Sequence, residues 1–178
     1  MIMFEIVFIV VLGCLLHFVY NWSHQNRVVG WLSAINESTW EHIKIALVPG
    51  FLSILIDYGE FGGNMNYWFA KFIMLAMMVV LIPVLFYTCK ALTKRTILRL
   101  DIMIFMVSIV YAVYTFDNIM RMVPLGLEAV GIVGLVVIFL AVALFSFFPP
   151  KWFIFVDPRS NKYGFEAHAK DRSHSHKK

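Results

Sequence analysis

The sequence lacks the short motifs by which many soluble enzymes are recognised. It contains no phosphate-binding glycine loop, no G-x-S-x-G elbow, no H-E-x-x-H helix and no C-x-x-C pair. Its two cysteines, Cys14 and Cys89, are too few for a disulfide framework, and we expect both to be free thiols. No internal repeat is evident, which disfavours a transporter built from inverted repeats. Function must therefore be sought in the hydrophobic and charge patterns.

Apolar residues dominate the chain. Of its 178 residues, 61% are hydrophobic, and the mean hydropathy is +0.78. A soluble domain of this size cannot bury so much apolar surface, so the composition predicts a protein of the lipid bilayer. A helix of about 20 apolar residues crosses a hydrocarbon core of about 30 Å. The sequence has five such stretches, at about residues 2–20, 39–58, 67–89, 100–120 and 127–148.

We therefore predict an all-α fold with three parts. Residues 1–150 form a bundle of five transmembrane helices, and residues 151–165 form a segment at the membrane interface. Residues 166–178 are polar, basic and rich in histidine, and we expect them to be disordered. The tail histidines, His168, His174 and His176, are candidate adventitious metal ligands, and the tail cations are expected to attract anionic lipids.

A short basic loop predicts how the bundle is oriented. Lys90, Lys94, Arg95 and Arg99 lie between two apolar stretches. Lys and Arg in short loops are retained on the cytoplasmic side of the membrane. We expect a multi-pass protein of the cell membrane with its amino terminus outside and its carboxyl terminus in the cytoplasm. This topology explains the sequence pI of about 9.1 without any nucleic-acid partner.

Polar residues on the predicted cytoplasmic side come from the first two spans. His17 and Asn21 are four residues apart and share one face of the first helix. Ser38 and Glu41 have the spacing of a capping box, which predicts that the second span begins there. Because the first helix descends to this side and the second rises from it, His17, Asn21, Glu41 and His42 are expected at a similar depth.

Three interpretations of these polar residues remain open. Two histidines with one or two carboxylates suit zinc or another divalent metal, which makes His17, Glu41 and His42 candidate metal ligands. The set is also consistent with a site for a polar substrate or a proton, since an ionisable group inside a membrane is costly. In a purely structural alternative, Glu41 caps its helix while His17 bonds Asn36, Glu37 or Glu41 and fastens two helices together.

A second polar group is predicted on the outer side of the membrane. Asp117 and Arg121 are four residues apart on one helix, so they are expected to form an ion pair. Other polar residues expected near this pair are Asn118, Asp57, Glu60, Lys71 and Glu128. We interpret the group as a structural ion pair near the membrane surface, with an external substrate site as the alternative.

Three stretches resemble one known family. They are L-H-F-V-Y-N-W-S at 16–23, N-E-S-T-W-E-H-I-K at 36–44, and F-P-P at 148–150 followed by D-P and K-Y-G. Together they resemble an uncharacterised family of small bacterial integral membrane proteins, found mainly in Gram-positive lineages. The resemblance extends to about Phe165, and it departs from the family at Lys151, where a histidine is expected. It singles out seven residues without implying a reaction: His17, Asn36, Glu37, Trp40, Glu41, His42 and Asp157.

Two functions from different classes follow from these observations. In the first, these seven residues and Asn21 form a cytoplasmic-side cluster that binds a small polar ligand, an ion, a lipid headgroup or a partner protein. The protein is then not an enzyme. Its surroundings are the lipid bilayer, and a second copy of the chain is a candidate partner. In the second, it is an intramembrane metal-dependent hydrolase of a lipid. The metal content of the purified protein distinguishes the two.

Overall fold

The computed structural model describes residues 2–168, and helices account for most of them. In chain order these are α1 (Ile2–Trp22), α2 (Arg27–Leu32), α3 (Thr39–Phe61), α4 (Tyr67–Thr93), α5 (Leu98–Met120) and α6 (Glu128–Phe147). Two 3-10 turns follow, at Phe153–Phe155 and Gly164–His168. The second turn includes the first residues of the predicted tail, and the rest of that tail lies outside the described residues.

The five predicted spans are confirmed as helices. Within residues 2–168, α1, α3, α4, α5 and α6 are long and apolar enough to cross a membrane. The polar connection between the first two spans contains the short helix α2, which is capped by the side chain of Asn26. Cys14 and Cys89 are both free, as expected. The architecture is that of a multi-pass membrane protein.

Helix α3 is the most polar of the five and also the best shielded from lipid. Its most apolar window has a mean hydropathy of 1.3, whereas the other four range from 1.7 to 2.9. Of that window 61% is buried, compared with 17% for α1 and 22% for α6. Helices α1 and α4 both pack along α3. Polar side chains on α3 can therefore point into the protein, where they can find partners that lipid does not offer.

Pro49 lies inside α3 and creates a specific packing requirement. Proline has no N–H, so the carbonyl of Ile45, four residues earlier, loses its helical partner. Helix α1 covers this carbonyl with Gly13, where an added Cβ would lie only 2.8 Å from the Ile45 oxygen. The glycine thus allows the backbone of α1 to close over the interrupted part of α3.

The two ends of the bundle differ in charge. At one end α1 finishes, α3 begins and α4 finishes, as shown by the 3.0 Å hydrogen bond between Thr39 and Tyr87. The loop that follows α4 carries Lys94 and Arg95, so we call this the basic end. At the opposite end α1 begins, α3 finishes and α4 begins.

Asn66 fastens the opposite end. Its side chain is buried at the start of α4 and donates to the carbonyls of Ile119, Met122 and Val123 at 3.0–3.2 Å. Its oxygen accepts from the N–H of Leu125 at 2.9 Å. The Asn66 side chain therefore supplies hydrogen-bond partners to backbone groups between the end of α5 and the start of α6. Without it these groups would be unpaired.

We expect Asn66→Ala to lower the free energy of unfolding by about 1–3 kcal/mol, because several buried backbone groups lose their partner at once. Thermal or denaturant unfolding of the full chain in detergent measures this. Asn118→Ala is the matched control, because Asn118 is exposed, and it should change stability by less than about 0.5 kcal/mol. Equal stability of the two variants would contradict this role for Asn66.

Candidate metal-binding site at the basic end

Two histidines and one glutamate converge at the basic end. Nε2 of His17 lies 3.8 Å from Oε1 of Glu37, and Nε2 of His42 lies 4.0 Å from Oε2 of the same carboxylate. The two imidazole rings are 5.4 Å apart between centroids. One ligand atom from each of the three residues lies within 4.8 Å of the other two. We call these three residues the His-Glu-His cluster.

The loop before α3 holds Glu37 in place through contacts distant in sequence. The side chain of Asn36 donates to the carbonyl of Gly164 at 3.1 Å and accepts from the N–H of Ser38 at 2.8 Å. The N–H of Glu37 donates to Asp157 at 3.3 Å. The segment after α6 is thus bonded to the loop that carries the glutamate. Asn36 and Asp157, both predicted as site residues, position the cluster from outside it.

The hydrogen bond of His42 determines which of its nitrogens is available. Nδ1 lies 2.9 Å from the carbonyl oxygen of Ser38, which can only accept, so Nδ1 must carry the proton. In the neutral ring Nε2 then has a lone pair, and Nε2 is the atom that faces Glu37. A ligating histidine whose other nitrogen donates to a backbone carbonyl is the usual arrangement at metal sites.

His17 is the less well satisfied of the two histidines. Among the described residues its Nδ1 is buried and has no hydrogen-bond partner. Such an orphaned group costs about 1–3 kcal/mol. Burial of His17 against α3 is therefore not explained by hydrogen bonding at this atom, which would carry the ring proton if Nε2 bound a ligand.

A small cleft opens beside the cluster. It has a volume of about 100 Å³, and its wall combines polar groups from α1, the loop before α3 and the segment after α6. Arg159 approaches Glu37 across this cleft, with 3.5 Å between its Nη2 and Oε1, and it is otherwise exposed. The lining residues are His17, Asn21, Ala34, Ile35, Asn36, Glu37, Asp157 and Arg159.

Glu41 lies outside the cluster, although the sequence indicated it as a metal ligand. Its carboxylate forms a 2.6 Å ion pair with Lys44 and accepts from the N–H of Ile35 at 2.8 Å. The capping-box prediction is wrong in its bonding, since Ser38 occupies the cap position without a side-chain hydrogen bond. Glu41 has a stronger partner in the ammonium group three residues further on, and Glu37 supplies the carboxylate of the cluster instead.

Lys44 itself connects three elements of the basic end. It is fully buried, and besides Glu41 it donates to the carbonyl of Gly30 in α2 at 2.9 Å and to Ser146 in α6 at 3.4 Å. This network was not predicted from the sequence, although Glu41 and Lys44 are three residues apart, a spacing that permits an ion pair on a helix.

Trp40 was predicted as a ligand-binding residue, but it has a packing role. It is buried against Phe145 and Phe155, with ring centroids 5.4 Å and 5.1 Å away. Trp40 therefore packs α3 against α6 and the first 3-10 turn. It does not line the cleft beside the His-Glu-His cluster.

The outer polar group of the sequence analysis is divided in the structure. The ion pair of Asp117 and Arg121 is confirmed at 2.8 Å, and the carboxylate raises the pKa of this exposed guanidinium. Lys71 does not join it. Its ammonium group instead binds Asp57 and Glu5, and Glu5 was not among the predicted partners.

Comparison with known proteins identifies a family. Residues 1–165 match the family model described as a family of unknown function, DUF6512. The chain belongs to this family. The match covers the extent of the resemblance found in the sequence, including α1, α3 and the segment after α6. Searches of curated proteins and of solved structures each found no match for this member of the family.

We expect Lys44→Met to lower the free energy of unfolding by about 3–5 kcal/mol, because it leaves Glu41 buried without its counter-charge. The double variant Glu41→Gln/Lys44→Met should recover most of this loss, since no buried charge is then unpaired. Chemical unfolding in detergent measures all three proteins together with Glu41→Gln. Additive losses in the double variant would show that the two side chains do not stabilise each other.

Proposed function

We propose that this chain is a multi-pass protein of the cell membrane that binds one divalent metal ion, preferentially zinc, at the His-Glu-His cluster. His17, Glu37 and His42 are the protein ligands. The observation that carries the proposal is the placement of three ligand atoms from separate segments within 4.8 Å of one another. Of the ligands considered from the sequence, the proposal therefore selects an ion.

The spacing in the cluster suits a zinc ion. Two ligands about 2.1 Å from one tetrahedral zinc are about 3.4 Å apart. The two histidines lie 3.8 Å and 4.0 Å from different oxygens of Glu37, and the three ligand atoms lie within 4.8 Å of one another. They would therefore have to close by at most about 1.4 Å to surround one zinc ion. Side-chain rotations of that size are available, because all three side chains are partly exposed.

The partners of the cluster also favour a metal. His42 donates its other ring proton to a backbone carbonyl, and Asp157 holds the backbone of Glu37. These contacts orient two of the ligands before any ion arrives, which reduces the entropy lost on binding. A divalent ion bound by two neutral histidines and one carboxylate has a net charge of +1. A further anion would balance that charge.

Three protein ligands leave a coordination position for that further anion. The cleft beside the cluster is lined by Arg159, whose guanidinium is suited to a carboxylate or phosphate group. The cleft therefore suits a small anionic ligand that contacts both the metal ion and Arg159. Both a free anion and a lipid headgroup carry such groups.

The hydrolase alternative is less well supported by the geometry. Metal-dependent hydrolysis needs a base near the metal-bound water. Two carboxylates line the cleft within residues 2–168, and both are engaged: Glu37 belongs to the cluster, and Asp157 accepts from Glu37 and from Ser160. Glu41, the base or ligand that the sequence suggested, is paired with Lys44.

We expect the purified full chain to bind about one equivalent of Zn²⁺, and His17→Ala and His42→Ala each to weaken this binding by at least about tenfold. Isothermal titration with zinc chloride in detergent, using a purification tag without histidine, measures the affinity. His24→Ala is the matched control because His24 is exposed and lies outside the cluster, and it should leave the affinity unchanged.

The same titration separates the cluster from the tail. His174→Ala/His176→Ala should retain the high-affinity site, whereas binding that disappears in this variant would belong to the tail. Folded Glu41→Gln should bind zinc as the unsubstituted chain does, because its carboxylate faces Lys44 and a glutamine oxygen can still accept from the N–H of Ile35 in the loop. Loss of zinc binding in Glu41→Gln without loss of folding would contradict our assignment of Glu37.

The orientation of the bundle is also a proposal, and it rests on the basic loop after α4. If the rule for positive charges holds, the His-Glu-His cluster faces the cytoplasm. A cytoplasm-active reporter fused after Lys178 should be active, and one that requires export should be silent. The opposite pattern would place the proposed metal site on the outer face.

A further inference from the structure

The opposite end of the bundle contains a second ionisable group, separate from the metal site. Glu5 of α1, Asp57 of α3 and Lys71 of α4 meet there, and all three are buried, with exposed fractions of 5%, 3% and 0%. Nζ of Lys71 lies 2.5 Å from an oxygen of each carboxylate. Ser53 and Tyr67 complete the group. We call these five residues the acidic-end network.

The two carboxylates of the network are not equally satisfied. Lys71 donates hydrogen bonds to Glu5 and to Ser53, the last at 3.0 Å, and it forms an ion pair with Oδ2 of Asp57. Among the described residues that oxygen is buried and has no hydrogen-bond partner. The hydroxyl of Tyr67 donates to the second oxygen of Asp57 at 2.6 Å. The oxygen of Asp57 that faces Lys71 is therefore stabilised by the ion pair without a hydrogen bond.

The charges of the network do not balance. Two ionised carboxylates and one ammonium leave one uncompensated negative charge. Within residues 2–168, Lys71 is the cation that forms an ion pair with either carboxylate. The remaining titratable group in contact, Tyr67, is a neutral donor, and the face of Phe116 lies 4.4 Å from Nζ. An uncompensated charge that is buried in the protein is strongly unfavourable, so a further positive charge is required.

A proton is the cation that fits this space. Both carboxylates contact one nitrogen, so they lie within the range of about 4–6 Å over which like charges resist simultaneous ionisation. The cavity beside them has a volume of about 10 Å³, close to the minimum for one water molecule. It lies between α1 and α3, where Glu5, Ser53 and Asp57 form part of its wall. A hydrated metal ion does not fit there.

We propose that Glu5 and Asp57 share one proton, which makes the acidic-end network a buried proton-binding site. On uptake, an O–H bond forms on one carboxylate oxygen and a hydronium ion becomes water. The charges then sum to zero, with one carboxylate ionised beside Lys71. Loss of the proton restores the second negative charge and weakens the contact of α1 with α3 and α4.

Infrared spectroscopy of the full chain in detergent near neutral pH tests the proposal. We expect the C=O stretch of one protonated carboxyl group in the unsubstituted chain and its loss in Glu5→Gln and in Asp57→Asn. Each variant keeps one carboxylate for Lys71, so its charges balance without a proton. Asp117→Asn, which alters an exposed ion pair, should keep the band.

The pH dependence of unfolding gives a second readout. The folded chain binds one more proton than the unfolded chain, so its stability falls as pH rises. Relative to Glu5→Gln, the folding equilibrium constant of the unsubstituted chain should fall by up to about tenfold per pH unit. Absence of the carboxyl band from the unsubstituted chain overturns the proposal whether or not the variants fold. A band that persists in both variants overturns it as well.

Discussion

A fully buried lysine, Lys44, is the group on which the basic end depends. Its ammonium group holds Glu41 in α3, the carbonyl of Gly30 in α2 and the hydroxyl of Ser146 in α6. Such a charge is stable inside a bundle only if each donor has a partner, so the three helices must meet at one place. The start of α3 is thereby fixed, and with it the loop that carries Glu37.

The His-Glu-His cluster also depends on contacts between residues that are distant in the sequence. Glu37 lies before α3, in a loop whose own hydrogen bonds reach Gly164 and Asp157. His42 lies one turn into α3, and His17 approaches from α1. The cluster therefore combines a helix, a loop and a second helix, and the segment after α6 determines where the loop lies. A site of this kind can exist only in the folded chain.

The sequence predicted the architecture well because the physics of spanning a bilayer is local. Each helix had to be about 20 apolar residues long, and all five were found. The partners of the carboxylates were harder to predict. The spacing of Glu41 suggested a cap, but its nearby Lys44 is the stronger partner, while Glu5 and Lys71 meet only because α1 and α4 both pack on α3. Because α1 and α4 are apolar around their whole circumference, the sequence does not indicate which face of either helix meets its neighbour.

The structure also determines how the two ends of the bundle are connected. His42 and Asp57 both belong to α3, about 22 Å apart along its axis. The middle of α3 is closely packed on both sides, since Gly13 of α1 covers the carbonyl of Ile45, and a Cβ on Gly50 would lie 2.4 Å from Leu75 of α4. Helix α3 therefore has little freedom to bend. Helix α1 contributes His17 to the cluster and Glu5 to the acidic-end network, yet it is the least buried of the five spans. A displacement of α1 would alter both sites at once, as would a displacement of α3 as a rigid body.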